Sequence, residues 1–254
     1  MQSLLLADTS KYQLRQRRTG LLDNVPGTLN GVDGRARNVR RELASPLRGE
    51  SLIPVTENDV RGLIPGGKCR KGGRLSLGGA GLGIGLGMAK QLESEGHRVI
   101  GVDIHKADIT ADLSIPDGRS EAVDQILEKC GGRLDGFVPC AGLSALPDRP
   151  ASLVIRLNYF GSIEMITGLR EALAKSDEAS VVGICSNSTT STPGLPMELV
   201  EVLATGDEEA ACALADQIAA ANEVGWVMGY PASKMALARW IRTQSVSDAW
   251  IGQG

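Results

Sequence analysis

The distribution of apolar and polar positions divides the chain near residue 73. Up to that point no hydrophobic period persists for three turns, and turn-forming clusters recur at Asp23-Asn24-Val25-Pro26-Gly27, Asn30-Gly31, Asp33-Gly34 and Pro65-Gly66-Gly67. This head, 1–73, is expected to be a largely disordered extension with a short helix near Ser51–Leu63. From Arg74 onward, short apolar runs alternate with helical periodicity. Strands are predicted at Arg74–Leu77, Arg98–Asp103, Ile109–Leu113, Leu134–Cys140 and Ser180–Cys185. Helices are predicted over Gly85–Glu95, Gly118–Lys129, Leu153–Ala174, Glu208–Ala221 and Tyr230–Thr243. Alternation of this kind predicts an α/β domain over 74–254, a Rossmann-like doubly wound parallel sheet.

Composition changes that picture little. Hydrophobic residues make up 42% and aromatics 3%, so aliphatic side chains and alanine must fill the core. No apolar run reaches the ~20 residues needed to cross a bilayer. Met1–Ala7 lacks a basic lead and is too short for a secretory signal, so a cytoplasmic protein with no membrane partner is expected. The five cysteines (69, 130, 140, 185 and 212) show no ligand-like spacing, and His97 and His105 are the two histidines, so no metal site is expected. Charge is uneven: 1–73 carries a net +6 and 74–254 a net −9. The basic head has no interleaved aromatics and no binding motif, which favours a solvated tail over a nucleic-acid contact.

Candidate chemistry lies in five places. Gly79, Gly83 and Gly85 form a G-x-x-x-G-x-G pattern between a strand and a helix. There, glycine permits close backbone approach to a pyrophosphate, and the helix N-terminus supplies N–H donors. Asp103 closes the second strand, 18 residues after Gly85, where a carboxylate accepts both hydroxyls of an adenosine ribose and repels a 2′-phosphate. That favours NAD(H) over NADP(H). Asn158 sits within a predicted helix, and Ser186 follows the fifth strand, with Ser188 the weaker alternative. Tyr230 and Lys234 fall one turn apart on one helix face, where an ammonium favours a phenolate that exchanges protons with a carbonyl or alcohol. Each feature also has a plain reading: a flexible glycine turn, a strand-end cap, an exposed helical amide. Their order along the chain is what argues for one site.

In that order the motifs resemble the short-chain dehydrogenase/reductase family over roughly residues 74–250. The resemblance implies an oxidoreductase that interconverts a secondary alcohol and a ketone, with Asn158, Ser186, Tyr230 and Lys234 catalytic. It implies cofactor contacts from Gly79, Gly83, Ile84, Gly85, Asp103, Asp112, Leu113, Ala141, Gly142, Tyr230 and Lys234. Departures from the family pattern are Gly78 in place of a threonine and Pro139-Cys140 in place of two asparagines; Cys140 reads as a buried structural thiol. The 44-residue interval from Ser186 to Tyr230 resembles the bacterial 3α-hydroxysteroid dehydrogenase/carbonyl reductase group, implying a bulky apolar, steroid-like substrate. Helices in that interval are expected to cover a surface other members use to associate, while self-association of this chain stays open. Because the chain stops 20 residues after Lys234, the family's last two strands are expected to be missing, leaving one sheet edge open. The alternative reading is a truncated, catalytically impaired dinucleotide-binding module.

Overall fold

A computed structural model describes residues 3–8, 72–81 and 83–250. The helix expected near Ser51–Leu63 lies outside the described residues, as does nearly all of the basic head. Six strands form one parallel sheet in the order β1-β6-β5-β2-β3-β4. They are β1 (Ser3–Asp8), β2 (Arg74–Gly78), β3 (Arg98–Asp103), β4 (Ile109–Thr110), β5 (Gly136–Pro139) and β6 (Ser180–Cys185). Strands β2 to β6 coincide with predicted segments to within a few residues at each end.

Side-chain alternation assigns the two faces. Leu75, Leu77, Val99 and Val138 pack with Met88 and Leu92 of α1 (Gly83–Ser94). Ile100, Val102, Phe137 and Val181 turn the other way. They meet α2 (Pro116–Cys130) and α4 (Gly161–Gly168) through Ala122, Ile126, Met165 and Ile166. Each buried Leu, Ile or Phe contributes about 1.5–3 kcal/mol, so these two layers hold most of the sheet's stability. Gly131, in the left-handed region at φ 66°, closes α2 with its N–H on the Glu128 carbonyl.

The helix predicted over Leu153–Ala174 is not regular. It runs as α3 (Ala151–Ile155), a π-helical turn Arg156–Phe160, α4 and α5 (Arg170–Leu173). After β6 come the short α6 (Ser188–Ser191), α7 (Met197–Thr205) and α8 (Glu208–Ala220), and then α9 (Gly229–Gln244). Leu199, Val200, Leu203, Ala211 and Ala215 of α7 and α8 share one core with Ile155, Tyr159, Ala232, Leu237 and Ile241. The two inserted helices therefore cover faces of α3 and α9 that would otherwise be exposed apolar surface. A charged cluster pins α8 to the body. The buried Arg119 guanidinium lies 2.7 Å from Glu164 and 2.5 Å from Glu208, and Arg156 reaches Glu208 at 3.0 Å and Glu209 at 2.6 Å.

One element departs from the sequence reading. No strand is predicted before Arg74, yet β1 lies against β6 over its whole length, Ser3 opposite Ser180 through Asp8 opposite Cys185. Residues 3–8 thus form a strand that the pattern did not announce, and β1 rather than β6 stands at that end of the sheet, whose edge stays open. The pattern hid β1 because Leu4-Leu5-Leu6-Ala7 is one short apolar run with no period of its own. Such a run suits a strand buried among parallel neighbours, but only a partner decides whether it forms.

Candidate active site

All predicted site residues lie at the carboxyl ends of the strands, where open α/β sheets build their crevices. At one end, the chain leaves β2 in a turn whose Gly79 and Ala80 amides donate to the Val102 carbonyl at 2.7 and 3.2 Å. Gly79 (φ +71°) cannot carry a side chain, because a Cβ would stand 2.8 Å from the Ala141 backbone. A Cβ at Gly85 would land on the Gly79 carbonyl oxygen, and Gly83 adopts φ +61°. The glycine pattern is thus enforced by geometry at all three positions. It opens α1 with no acid in its first turn, at a positive dipole end suited to an anion. Ile84 beside this turn is 40% exposed, available to a ligand.

Asp103 stands across from the loop. Its Oδ2 accepts the Gly81 amide at 3.0 Å and its Oδ1 the His105 amide at 3.1 Å. The loop is therefore braced from β3, in a chain that has no hydroxyl at position 78. Spare lone pairs on the carboxylate remain able to accept hydroxyl donors. Asp112 turns inward to its own loop, accepting Ser114 N at 2.9 Å and Ser114 Oγ at 2.6 Å. Leu113 is buried in the core and flanks Gly78 together with Ala141, each 3.7 Å from where a Gly78 Cβ would be.

At the other end four segments converge. Asn158 is fully buried inside the π-helical turn. A single such turn shifts the register of a helix, and here it presents the amide to the β5–α3 loop. Oδ1 accepts Leu143 N at 2.8 Å, while Nδ2 donates to Leu143 O at 2.9 Å and reaches Ser233 Oγ at 3.3 Å. Ser233 in turn donates to the Tyr230 carbonyl at 2.7 Å. Lys234 is buried, and its Nζ donates to the Ile184 carbonyl at 2.9 Å, two residues before Ser186. A Cβ at Gly142 would be 3.1 Å from Asn158 Oδ1 and 3.8 Å from Lys234 Nζ, so only a residue without a side chain leaves this junction open.

Ser186 is buried at the end of β6, its Oγ accepting Ser188 N at 3.2 Å. Ser188 itself turns into α6. Tyr230, half-buried, lies in the first turn of α9 and on the same face as Lys234. Burial pushes the Lys234 ammonium below the usual lysine range, with the Cys185 and Cys140 thiols opposing that shift. Burial likewise raises the Cys140 thiol to about 11, which keeps it a neutral, weakly bonded neighbour of Met88 at 3.9 Å.

Sequence reasoning named the four catalytic candidates but missed three supports. Ser233 links Asn158 to the Tyr230 turn, the Leu143 backbone holds Asn158, and the Ile184 carbonyl holds Lys234. Backbone groups leave no residue-type signal, and Ser233 is an ordinary helical serine until its partners are known. Among the described residues no group of three or more His, Cys, Asp and Glu is placed to hold a metal, and no helix is long and apolar enough to cross a membrane.

Comparison with known proteins shows what the chain is similar to in sequence and fold. The family model for short chain dehydrogenases matches residues 76–196. The 3α-hydroxysteroid dehydrogenase/carbonyl reductase of Comamonas testosteroni is 34% identical over 174 residues, covering 68% of this chain and 65% of that protein. The chain thus spans just under two thirds of that relative's length. A crystal structure of a 3α-hydroxysteroid dehydrogenase from Pseudomonas sp., complexed with NADH, is 38% identical with a TM-score of 0.65, covering 71% of this chain and 68% of that one. A short-chain dehydrogenase from Streptomyces avermitilis shares the fold at 18% identity and a TM-score of 0.53, over 74% and 64% of the two chains. With 38% identity over 68% of the Pseudomonas chain and the family model matched over 76–196, the chain belongs to the short-chain dehydrogenase family.

Proposed function

We propose that this protein is a NAD(H)-dependent oxidoreductase interconverting a secondary alcohol and a ketone, with Tyr230 passing the proton. The single observation that carries the reading is the anchored lysine. Lys234 Nζ, fixed on the Ile184 carbonyl one helical turn from Tyr230, would set a hydrogen-bond donor on the helix face where the phenol meets a substrate oxygen. Ser186, at the end of the same strand, would donate a hydrogen bond to that oxygen as its charge changes. Asn158 holds the Leu143 backbone and, through Ser233, the turn that carries Tyr230.

The nicotinamide cofactor, when bound, would supply or accept the hydride. The residues present fit such a group: glycines at 79, 83 and 85 leave a cradle that any Cβ would fill or strain, at the open end of α1. Asp103 would take the adenosine ribose hydroxyls and disfavour a 2′-phosphate, the reason for preferring NAD(H). Asp112, Leu113, Ala141, Gly142 and Ile84 would line the path, with Lys234 and Tyr230 meeting the nicotinamide ribose. The NADH-bound Pseudomonas relative supports this class of cofactor. The steroid-like substrate is carried over from the two hydroxysteroid dehydrogenase relatives. The cofactor domain is taken as 74–254 completed by strand β1, with the rest of the basic head appended, acting in the cytoplasm without nucleic-acid partners.

The test is a titration with NADH followed by nicotinamide fluorescence, beside turnover of a hydroxysteroid and a simple aromatic ketone. Turnover that disappears in Tyr230→Phe is the expected result. Absence of NADH binding by the intact chain would sink the proposal.

A further inference from the structure

The sheet joins two stretches of chain that nothing in the local pattern connects, and the join falls beside the catalytic residues. β5 meets β6 in register at two pairs only, Gly136 with Ser180 and Phe137 with Val181. β1 meets β6 at all six positions. The last four residues of β6, Val182 to Cys185, therefore have β1 as their ladder neighbour. Those residues do the positioning for the site: the Ile184 carbonyl receives Lys234 Nζ at 2.9 Å, and Cys185 leads directly into Ser186. β1 also lies near α9, the helix that carries Tyr230 and Lys234. An unpaired strand end frays readily, because nothing compensates its free amides and carbonyls with a fixed geometry.

We propose that β1 is a positioning element of the active site: pairing of Ser3–Asp8 with the end of β6 holds the Ile184 carbonyl and Ser186 where Lys234 and the substrate oxygen need them. The inference rests on the proposed alcohol–ketone chemistry for its kinetic readout, but its structural content stands without it. The N-terminal residues are thus part of the catalytic domain, although more than sixty residues separate them from β2 in the chain.

Two variants of the full chain test this, Leu5→Pro and Leu6→Pro. Successive strand residues direct their backbone groups to opposite sides, so one of the two must remove an amide aimed at β6. Amide hydrogen exchange is measured on wild type and both variants, alongside NADH titration and a pH profile of kcat. In the disruptive variant, exchange at Val182–Ser186 accelerates at least tenfold while β2 and β3 keep their protection. NADH affinity, governed by the glycine end, stays within about threefold. kcat falls at least tenfold, and its pH profile moves because Lys234 loses a fixed acceptor. A synthetic peptide of residues 1–10, added in trans, restores protection and kcat; the same peptide with proline at position 5 or 6 restores less. Unchanged exchange at Val182–Ser186 in both variants overturns the proposal. So does accelerated exchange with kcat and pH profile unmoved. If wild type binds NADH without turning over any substrate, the oxidoreductase reading fails, and the exchange result alone decides on β1.

Discussion

The two ends of the crevice are built differently. At the glycine end, β2, the turn and α1 are contiguous, and almost every constraint is local: Gly79 and Gly83 need positive φ, and Gly85 packs on Gly79. The long-range ties there are β3's backbone on the turn, Asp103 on Gly81 and the Ala141 backbone against Gly79. At the catalytic end, side chains from the π-helical turn and α9 meet backbone groups of the β5–α3 loop and β6 across more than ninety residues of chain. Hardly any of their contacts are local. A locally built site tolerates damage elsewhere, whereas one assembled from distant segments depends on the whole half of the sheet staying in register.

The largest effect should come at the catalytic end. Tyr230→Phe removes the proposed proton donor and should lower kcat by about 10²–10⁴-fold with NADH affinity retained, as read by parallel turnover and fluorescence titration. Damage that leaves the site residues intact comes next. Arg119→Leu removes a buried guanidinium from the partly exposed Glu164 and from Glu208, which keeps Arg156, and the loss of these two charge-assisted contacts costs about 3 kcal/mol. In a chain of this size that lowers Tm by about 6–12 °C in calorimetry. At the glycine end, Gly79→Ala forces a side chain into a left-handed backbone against Ala141, with strain of about 1–3 kcal/mol. NADH binding should weaken tenfold or more, while catalytic-end protection in hydrogen exchange is unchanged. If Gly79→Ala instead disturbed Val182–Ser186, the two ends would not be separable.

Smaller effects sharpen the contrast through pH. Lys234 is held below the usual lysine range by burial, so the unfolded chain binds its proton more tightly than the folded one. Lys234 therefore opposes folding at pH below its folded value, and this cost fades as pH rises toward the ordinary lysine value of about 10.4. Lys234→Met should lose activity yet gain thermal stability at pH 7, with the gain shrinking in melts at pH 9 to 10. Asp135 makes the opposite case. Burial acts to raise its carboxyl, but hydrogen bonds from Arg74 N and Ser176 Oγ and the Arg133 charge outweigh that and hold it below the usual range. Its contribution is present above the unfolded carboxylate value and is lost as pH falls through the folded one. Asp135→Asn should thus be slightly less stable than wild type at pH 7, with the difference vanishing in acid.

How much of this was legible beforehand follows the same division. The glycine spacing, Asp103 and the strands β2 to β6 were readable because each is specified by neighbours in sequence. Asn158, Ser186, Tyr230 and Lys234 were nameable through their order, which resembles a family, but their partners were not. The break in the long helix was invisible because Arg156–Phe160 carries no proline or glycine that would announce it. Helix α8 was readable as a helix, whereas the seat of α7 and α8 on α3 and α9 emerged from packing.

By itself, then, the sequence determined the alternation of strands and helices, the positions that must be glycine, and the residue types that can move a proton. Periodicity and backbone sterics act over a few residues and leave their mark in the string. Tertiary structure alone decided that an apolar run at residues 3–8 becomes the neighbour of β6, that a π-helical turn aims Asn158 at Leu143, and that Lys234 rests on a carbonyl fifty residues away. Those contacts are made by backbone groups, which every residue carries alike, so no residue identity could have foretold them.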